Sequence, residues 1–210
     1  EVSRRLSTIL DEKELLFEVV EQIKTAYNYY HGQIYLLDED HQTLVLAGAT
    51  GEAGQAMLNR KHSLSIERGL VGRAARTKTG VFVTDTSKDA GWVPNPLLPD
   101  TKAEIAVPIL SGDQLLGVID MQDSVTGDIF PEDLEFLQAI ANQVAIALQN
   151  ARSYTRAQAR AEREALISSI SQKIQGETTV ESALQVAIRE VGRALRTSAR
   201  VTLKPSNGEK

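Results

Sequence analysis

Few residues of this chain are equipped for chemistry, and the types that are missing narrow the possibilities first. There is no cysteine among the 210 residues. That removes disulfides, cysteine-ligated metal, thiol catalysis and thioether attachment of a bilin together. The three histidines, His31, His41 and His62, are scattered over loops and element ends without the spacing of a metal site. A lone loop histidine is usually just exposed, although one could ligate haem if the pocket opened to it. No nucleophile elbow and no Ser/His/Asp order is present. Asp120, Asp123, Asp128, Glu132 and Asp133 cluster, but without the alternating oxygen ligands and glycine turn of a calcium loop. Glu132 and Asp133, just after Pro131, suit the first turn of a helix instead. Two features remain that can hold a ligand. In Gly69-Leu-Val-Gly-Arg-Ala-Ala-Arg a short helix begins; its free N–H groups can receive an anion, or its glycines simply permit close packing. The segment from Thr86 to Thr101 is rich in Pro, Asp and Asn, with Trp92 at its middle. Pro94, Pro96 and Pro99 exclude a regular strand there. A long loop inside a compact domain is usually functional, and its aromatic either lids a pocket or plugs the end of the core.

These residues must be held by the stretch from Ala103 to Ala151. Two apolar runs, Ala103 to Leu110 and Leu115 to Met121, flank the polar turn Ser111-Gly112-Asp113-Gln114, which is the pattern of an antiparallel hairpin. Both runs are nearly continuous in apolar residues, so both faces are covered and the hairpin is central in its sheet. After Pro131 the period changes: Leu134, Leu137, Ile140, Ala141, Val144 and Leu148 form one helix face. Upstream, Leu6, Ile9, Leu16, Val20, Ile23 and Tyr27 make a helical stripe over Val2 to Tyr30, with a capping-box pattern at Asp11-x-x-Glu14 where the helix can restart. Gln33 to Asp38 and Thr43 to Gly48 form a first hairpin, Ser63 to Ile66 a short edge strand, and Val81 to Asp85 a further strand. Beyond Ala151 the helix continues to Gln175. There Arg152, Arg156, Arg160 and Arg163, diluted by Glu162 and Glu164, form a solvated face. Thr178-x-x-Glu181 and the stripe Leu184, Ala187, Ile188, Val191 and Leu195 repeat the pattern of the first helix, and Arg200-Val-Thr-Leu repeats Gln33-Ile-Tyr-Leu with a shift of one residue.

Composition fits this plan. A 42% hydrophobic and 24% charged chain folds as an ordinary globular protein. A net charge of −5 argues against a bulk nucleic-acid binder. No apolar run approaches the roughly 18 residues of a membrane helix, so direct membrane insertion is not expected. EVSRRLSTIL offers neither an initiator Met nor a signal-peptide core, and reads as part of a longer protein.

The order Ala106-Val-Pro-Ile109, turn, Leu115-Leu-Gly-Val-Ile119, then Phe130-x-x-Asp-Leu-x-x-Leu137 and Gln143-x-Ala-x-Ala-x-x-Asn-Ala151 resembles the second half of a GAF domain, and Gly69-Leu-Val-Gly-Arg-Ala is a recurrent feature of that family. The resemblance implies an α+β fold: a three-layer α/β/α, PAS-like sandwich. Its mostly antiparallel sheet has about five strands in the order 2-1-5-4-3, flanked by long N- and C-terminal helices packed together on one face. It implies residues 1–30 as an N-terminal signalling helix and 31–150 as the core. Residues 151–177 follow as a helical linker, and 178–210 as the first helix and strand of a truncated second GAF-like domain. Two subtypes are set aside. Free-methionine-sulfoxide reductases of this fold depend on cysteines, which are absent here. The cyclic-nucleotide class carries Asn-Lys where this chain has Gln122-Asp123, and Asp-Glu where it has Asp133-Leu134. By resemblance, then, the chain is a non-catalytic, cytoplasmic sensing and transmission module of a larger signalling protein such as a histidine kinase. It would dimerise through its terminal helices and bind an unidentified small molecule under the Trp92 loop, with Tyr35, Leu70, Phe82, Asp85, Trp92, Asn95, Ile105 and Ile119 lining the pocket. The alternative is a dimerisation and spacer module with a filled core and no ligand.

Overall fold

A computed structural model describes residues 11–175 and 179–194, which divide into a unit reaching to Tyr154 and a second beginning at Thr155. Helix α1 spans Glu12–Tyr27. It starts where the capping pattern placed it: the Asp11 carboxylate accepts from the backbone N–H of Lys13 at 2.9 Å and of Glu14 at 3.0 Å, satisfying donors that the first turn leaves open. It ends at Asn28, in the left-handed conformation (φ 55°). The part of the expected first helix up to and including Leu10 lies outside the described residues.

Six strands follow: β1 (His31–Leu37), β2 (Thr43–Ala49), β3 (Ser63–Ser65), β4 (Val81–Val83), β5 (Ala103–Ser111) and β6 (Gln114–Asp123). Helix α2 (Gly51–Asn59) connects β2 to β3, and α3 (Gly69–Thr77) connects β3 to β4. Every pairing is antiparallel, and the sheet order is β3-β2-β1-β6-β5-β4. This is the expected order, extended by the short edge strand on β2. The β5–β6 hairpin lies inside the sheet, as its apolar runs require, and Gly112 (φ +57°) makes its turn. Gly72 lets α3 sit tightly on the chain before it: a Cβ there would lie 2.4 Å from the Ile66 carbonyl oxygen.

Helix α4 spans Pro131–Gln175. In place of a Ser or Thr cap, Asp133 reaches back to accept the Phe130 N–H at 2.7 Å, one half of a capping box. Up to Tyr154 it packs with α1 on one face of the sheet. Leu15, Leu16, Val19, Val20 and Ile23 of α1, and Leu137, Ala141, Val144 and Leu148 of α4, share one core with Ile34, Ile105, Val107, Ile119 and Met121. Each large side chain buried there contributes roughly 1.5–3 kcal/mol. Arg152, expected on a solvated face, instead pairs with Glu12 through Nε at 2.8 Å and Nη2 at 3.2 Å, joining the two helices.

In the second unit, helix α5 spans Val180–Ala194, and its start is capped by Thr179, whose hydroxyl accepts the Ser182 N–H at 3.2 Å. Thr178, expected to cap this helix, and the expected strand at Arg200 to Leu203 lie outside the described residues. Lys173 and Glu190 form an ion pair of 2.7 Å. Among the described residues no helix is long and apolar enough to cross a membrane.

Candidate functional site

Side chains alternate along a strand, so the residues between those of the helix-side core must point the other way. In β1 these are His31, Gln33 and Tyr35; in β5, Glu104 and Ala106; in β6, Val118, Asp120 and Gln122. The register sets Gln33 opposite Asp120 and Glu104 opposite Gln122. Glu104 and Asp120 are therefore diagonal neighbours on one face, within side-chain reach. Both are buried, at 5% and 0% exposure.

A polar network joins them. Asp120 Oδ2 accepts from Gln33 Nε2 at 2.7 Å and from Gln122 Nε2 at 2.9 Å. Gln122 Oε1 accepts from the Thr101 hydroxyl at 2.6 Å. Glu104 Oε2 accepts the Trp92 indole N–H at 2.7 Å. Asp120 Oδ1, Gln33 Oε1 and His31 Nε2 are also buried; the Glu104 carboxyl is the neighbour of Asp120, and the His31 ring is the neighbour of Gln33.

The electrostatics follow from burial. Loss of water raises the Glu104 carboxyl well above the usual range, and the nearby Asp120 charge raises it further; the Trp92 hydrogen bond opposes both. Burial likewise raises Asp120, against the hydrogen bonds from Gln33 and Gln122. Two carboxyls so placed cannot both ionise cheaply, so each holds the other toward its protonated form. Burial also raises the Tyr35 hydroxyl and lowers His31 to about 4, keeping the imidazole neutral. His62 is lowered by the same cause.

Gln33, Glu104, Gln122 and Tyr35 form the floor of a cavity of about 220 Å³, room for roughly seven water molecules. Its walls are His62, Leu64 and the first turn of α3 (Gly69 to Val71, with Arg68 before it), and its cover is Val93 to Pro96. The covering loop is fastened at three points. Asp89 accepts two hydrogen bonds from Arg73, at 2.7 and 2.9 Å. The Trp92 indole is tied to Glu104 as above, and the Asn95 amide meets Met57 Sδ at 3.1 Å.

Of the residues expected to line a pocket, Tyr35, Leu70 and Asn95 border this cavity. Trp92 stands beside it, half-buried over the core on this face. Asp85 is elsewhere: it caps the turn at Thr86–Lys88, accepting from Ser87 N at 3.1 Å, and pairs with Lys88. Ile105, Ile119 and Phe82 belong to the opposite, helix-side core. That corrects their expected placement: strands apolar on both faces do not reveal which parity faces the helices until the register is known. Sequence reasoning missed Glu104, Gln33 and Gln122, and saw Asp120 only as one of an acidic cluster. The available signal was a charged residue inside each of two apolar central strands, a position that forces burial.

An antiparallel sheet that seats terminal helices on one face and carries a partly open, loop-covered cavity on the other defines an α+β domain with a pocket on its sheet. A sequence model of the GAF domain matches residues 10–149, and the chain belongs to the GAF domain family, whose members serve sensing and signalling. No curated protein matches the chain. Solved structures similar to it include the GAF domain of a phosphoenolpyruvate-protein phosphotransferase from Coxiella burnetii (TM-score 0.66, 19% identity, 74% of this chain and 92% of that one). A free methionine-R-sulfoxide reductase from Neisseria meningitidis, in complex with its substrate, is also similar (TM-score 0.64, 20% identity, 73% and 87%). So is a methyl-accepting chemotaxis protein, residues 122 to 287 (TM-score 0.61, 17% identity, 73% and 98%).

Proposed function

We propose that this chain is a non-catalytic module that senses a small molecule under the Trp92 loop and passes the event to its terminal helices. The observation that carries this reading is the arrangement of β5 and β6. Glu104 and Asp120 serve the cavity, while their chain neighbours Ile105, Ile119 and Met121 seat α1 and α4. A ligand that moves the floor therefore acts on the helix seat through a shared backbone, shifting a population of helix packings. Ile105 and Ile119, expected in the pocket, take the transmitting role.

In this reading the parent is a larger cytoplasmic signalling protein, such as a histidine kinase, and α4 leads toward its output domain. Homodimerisation would use the terminal helices, where Phe17, Ile146 and Tyr154 are exposed and offer apolar surface. Light scattering that finds only monomer at high concentration would reject the dimer for this chain. The chain's one tryptophan makes the main experiment simple. Trp92 emission is titrated with a metabolite panel, and the α1–α4 distance is read between spin labels on Lys13→Cys and Asn150→Cys, both exposed. A saturable emission change accompanied by a changed distance supports sensing. Saturation of the cavity with an unchanged distance leaves the spacer reading, in which the domain only holds its partners together.

A further inference from the structure

We propose that Arg73 is a positioning residue for the cavity: by gripping Asp89 it holds the turn that seats Trp92 on Glu104, and so sets how often the cover, residues 93–96, opens. This concerns entry to the cavity and does not depend on what the cavity binds. The cover is poorly equipped to hold itself. Pro94 and Pro96 have no N–H to donate, and Val93, Pro94 and Pro96 are exposed. Asn95 spends its backbone carbonyl on the Leu98 N–H at 2.9 Å and its side-chain oxygen on the Leu97 N–H at 3.0 Å, both within the loop. Its amide alone reaches out, to the Met57 sulfur, and a thioether is a weak acceptor.

What orients the cover is the turn before it. The Asp89 carboxylate accepts the Gly91 N–H at 2.8 Å, and the Asp89 carbonyl accepts the Trp92 N–H at 3.1 Å. These bonds give the turn its shape but not its place. Its place comes from Arg73, whose two terminal nitrogens donate to the two Asp89 carboxylate oxygens at 2.9 and 2.7 Å. Such a fork fixes direction as well as distance. The guanidinium also lies against the Gly91 backbone: a Cβ there would be 2.8 Å from Arg73 Nη2. From this turn the Trp92 indole reaches Glu104. Arg73 stands on α3, whose first turn is a wall of the cavity, and Gly72 packs that helix tightly onto Ile66. One helix thus carries both the wall and the fastening of the cover. With the fork released, the Trp92–Glu104 and Asn95–Met57 bonds must hold the cover alone. Arg73 and Asp89 are 35% and 17% exposed, so the pair controls opening by a few fold rather than by orders of magnitude.

The chain has no cysteine and one tryptophan, so two readouts are clean. In a Val71→Cys background, at a buried position on the cavity wall, the rate of labelling by iodoacetamide reports opening of the cover. Solvent exchange of the Trp92 indole N–H, followed by NMR, reports release of its bond to Glu104. Arg73→Ala should raise both rates roughly two- to fivefold, the share of an opening equilibrium that a partly exposed ion pair controls. Arg73→Lys keeps the charge and loses the fork, and should fall between. Asp89→Asn can still accept the Gly91 N–H and should match Arg73→Ala. The double variant should add little to either, since both remove the same contact. Arg152→Ala, which breaks a pair of similar exposure between α1 and α4, should leave both rates unchanged. Urea midpoints confirm that each variant is folded; if Arg73→Ala is not, Arg73→Lys and Asp89→Asn carry the same comparison. The proposal is overturned if Arg73→Ala leaves either rate at the parent value, if Arg152→Ala raises them as much, or if the effects of Arg73→Ala and Asp89→Asn simply add.

Discussion

The two faces of the central sheet are built from the same strands and differ in kind. Toward α1 and α4, the inward residues of β1, β5 and β6 are aliphatic, and they pack into one dry core. Toward the Trp92 loop, the alternate residues include His31, Gln33, Glu104, Asp120 and Gln122, all buried. A face built only for stability would repeat the first pattern, since burying a carboxyl costs free energy that an aliphatic side chain would not. The second face thus carries a stability cost that the first does not, which is what the proposed binding site would require.

The comparison is broken most severely on the helix side. Ile119→Ala should cost about 2–5 kcal/mol through lost burial and the cavity left behind, measured as a shift in urea midpoint at unchanged slope. A loss under about 1 kcal/mol would mean that the helices are not firmly seated. Next comes the wall of the cavity. Gly72→Ala forces α3 away from the Ile66 carbonyl and should cost about 1–3 kcal/mol, with a change in Trp92 emission that a mutation on the helix side does not produce.

The cavity floor should answer to pH with the opposite sign from ordinary acids. Glu104 and Asp120 titrate higher folded than unfolded. The folded state therefore binds more protons, and stability falls as pH rises from the unfolded carboxyl range toward the raised folded values. Glu104→Gln should flatten that slope and leave the protein at least as stable as the parent at pH 8, checked by denaturation at several pH values. His31 works against this at the acid end: its folded value near 4 makes stability fall as pH drops below about 6.5, and His31→Gln should remove that decline. The smallest effects belong to the surface. Arg152→Ala should cost about 1 kcal/mol or less despite its pairing with Glu12, because both partners are about one-third exposed. Arg160→Ala, whose pair with Glu164 is mostly exposed, should lie within about 0.5 kcal/mol of the parent.

Much of the fold was legible because its signals are periodic. The stripe from Leu134 to Leu148, the paired runs around Gly112 and the Asp11 cap each follow from local rules, and the sheet order follows from the family resemblance those segments carry. The site was less legible for a related reason. Counting apolar residues marks a strand as buried but hides the few polar ones within it, so Glu104, which is part of the floor, and Asp120, which is bonded to it from behind through Gln33 and Gln122, did not stand out. The same continuity hid the parity of Ile105 and Ile119, which only the register between β1 and β6 resolves. Arg152 looked like its neighbours Arg156 and Arg160, because Glu12, its partner, is distant in sequence. The prolines around Trp92 marked its segment as a loop but left open whether the ring lids a pocket or plugs the core, and the ring lies half-buried against the core beside the cavity. Its bond to Glu104 could not be read from the sequence, since it joins a loop to a strand.

The account stands on the acidic pair beneath the loop, and side-chain carbon NMR of Glu104 and Asp120 through a pH titration tests it most directly. The expected spectrum shows at least one of the two carboxyls still protonated at neutral pH, with the two resonances titrating in linked steps and the linkage lost in Glu104→Gln. If both carbons instead titrate independently near pH 4, as exposed carboxyls do, the floor is solvated, the pair holds no proton, and the contrast between the two faces of the sheet disappears.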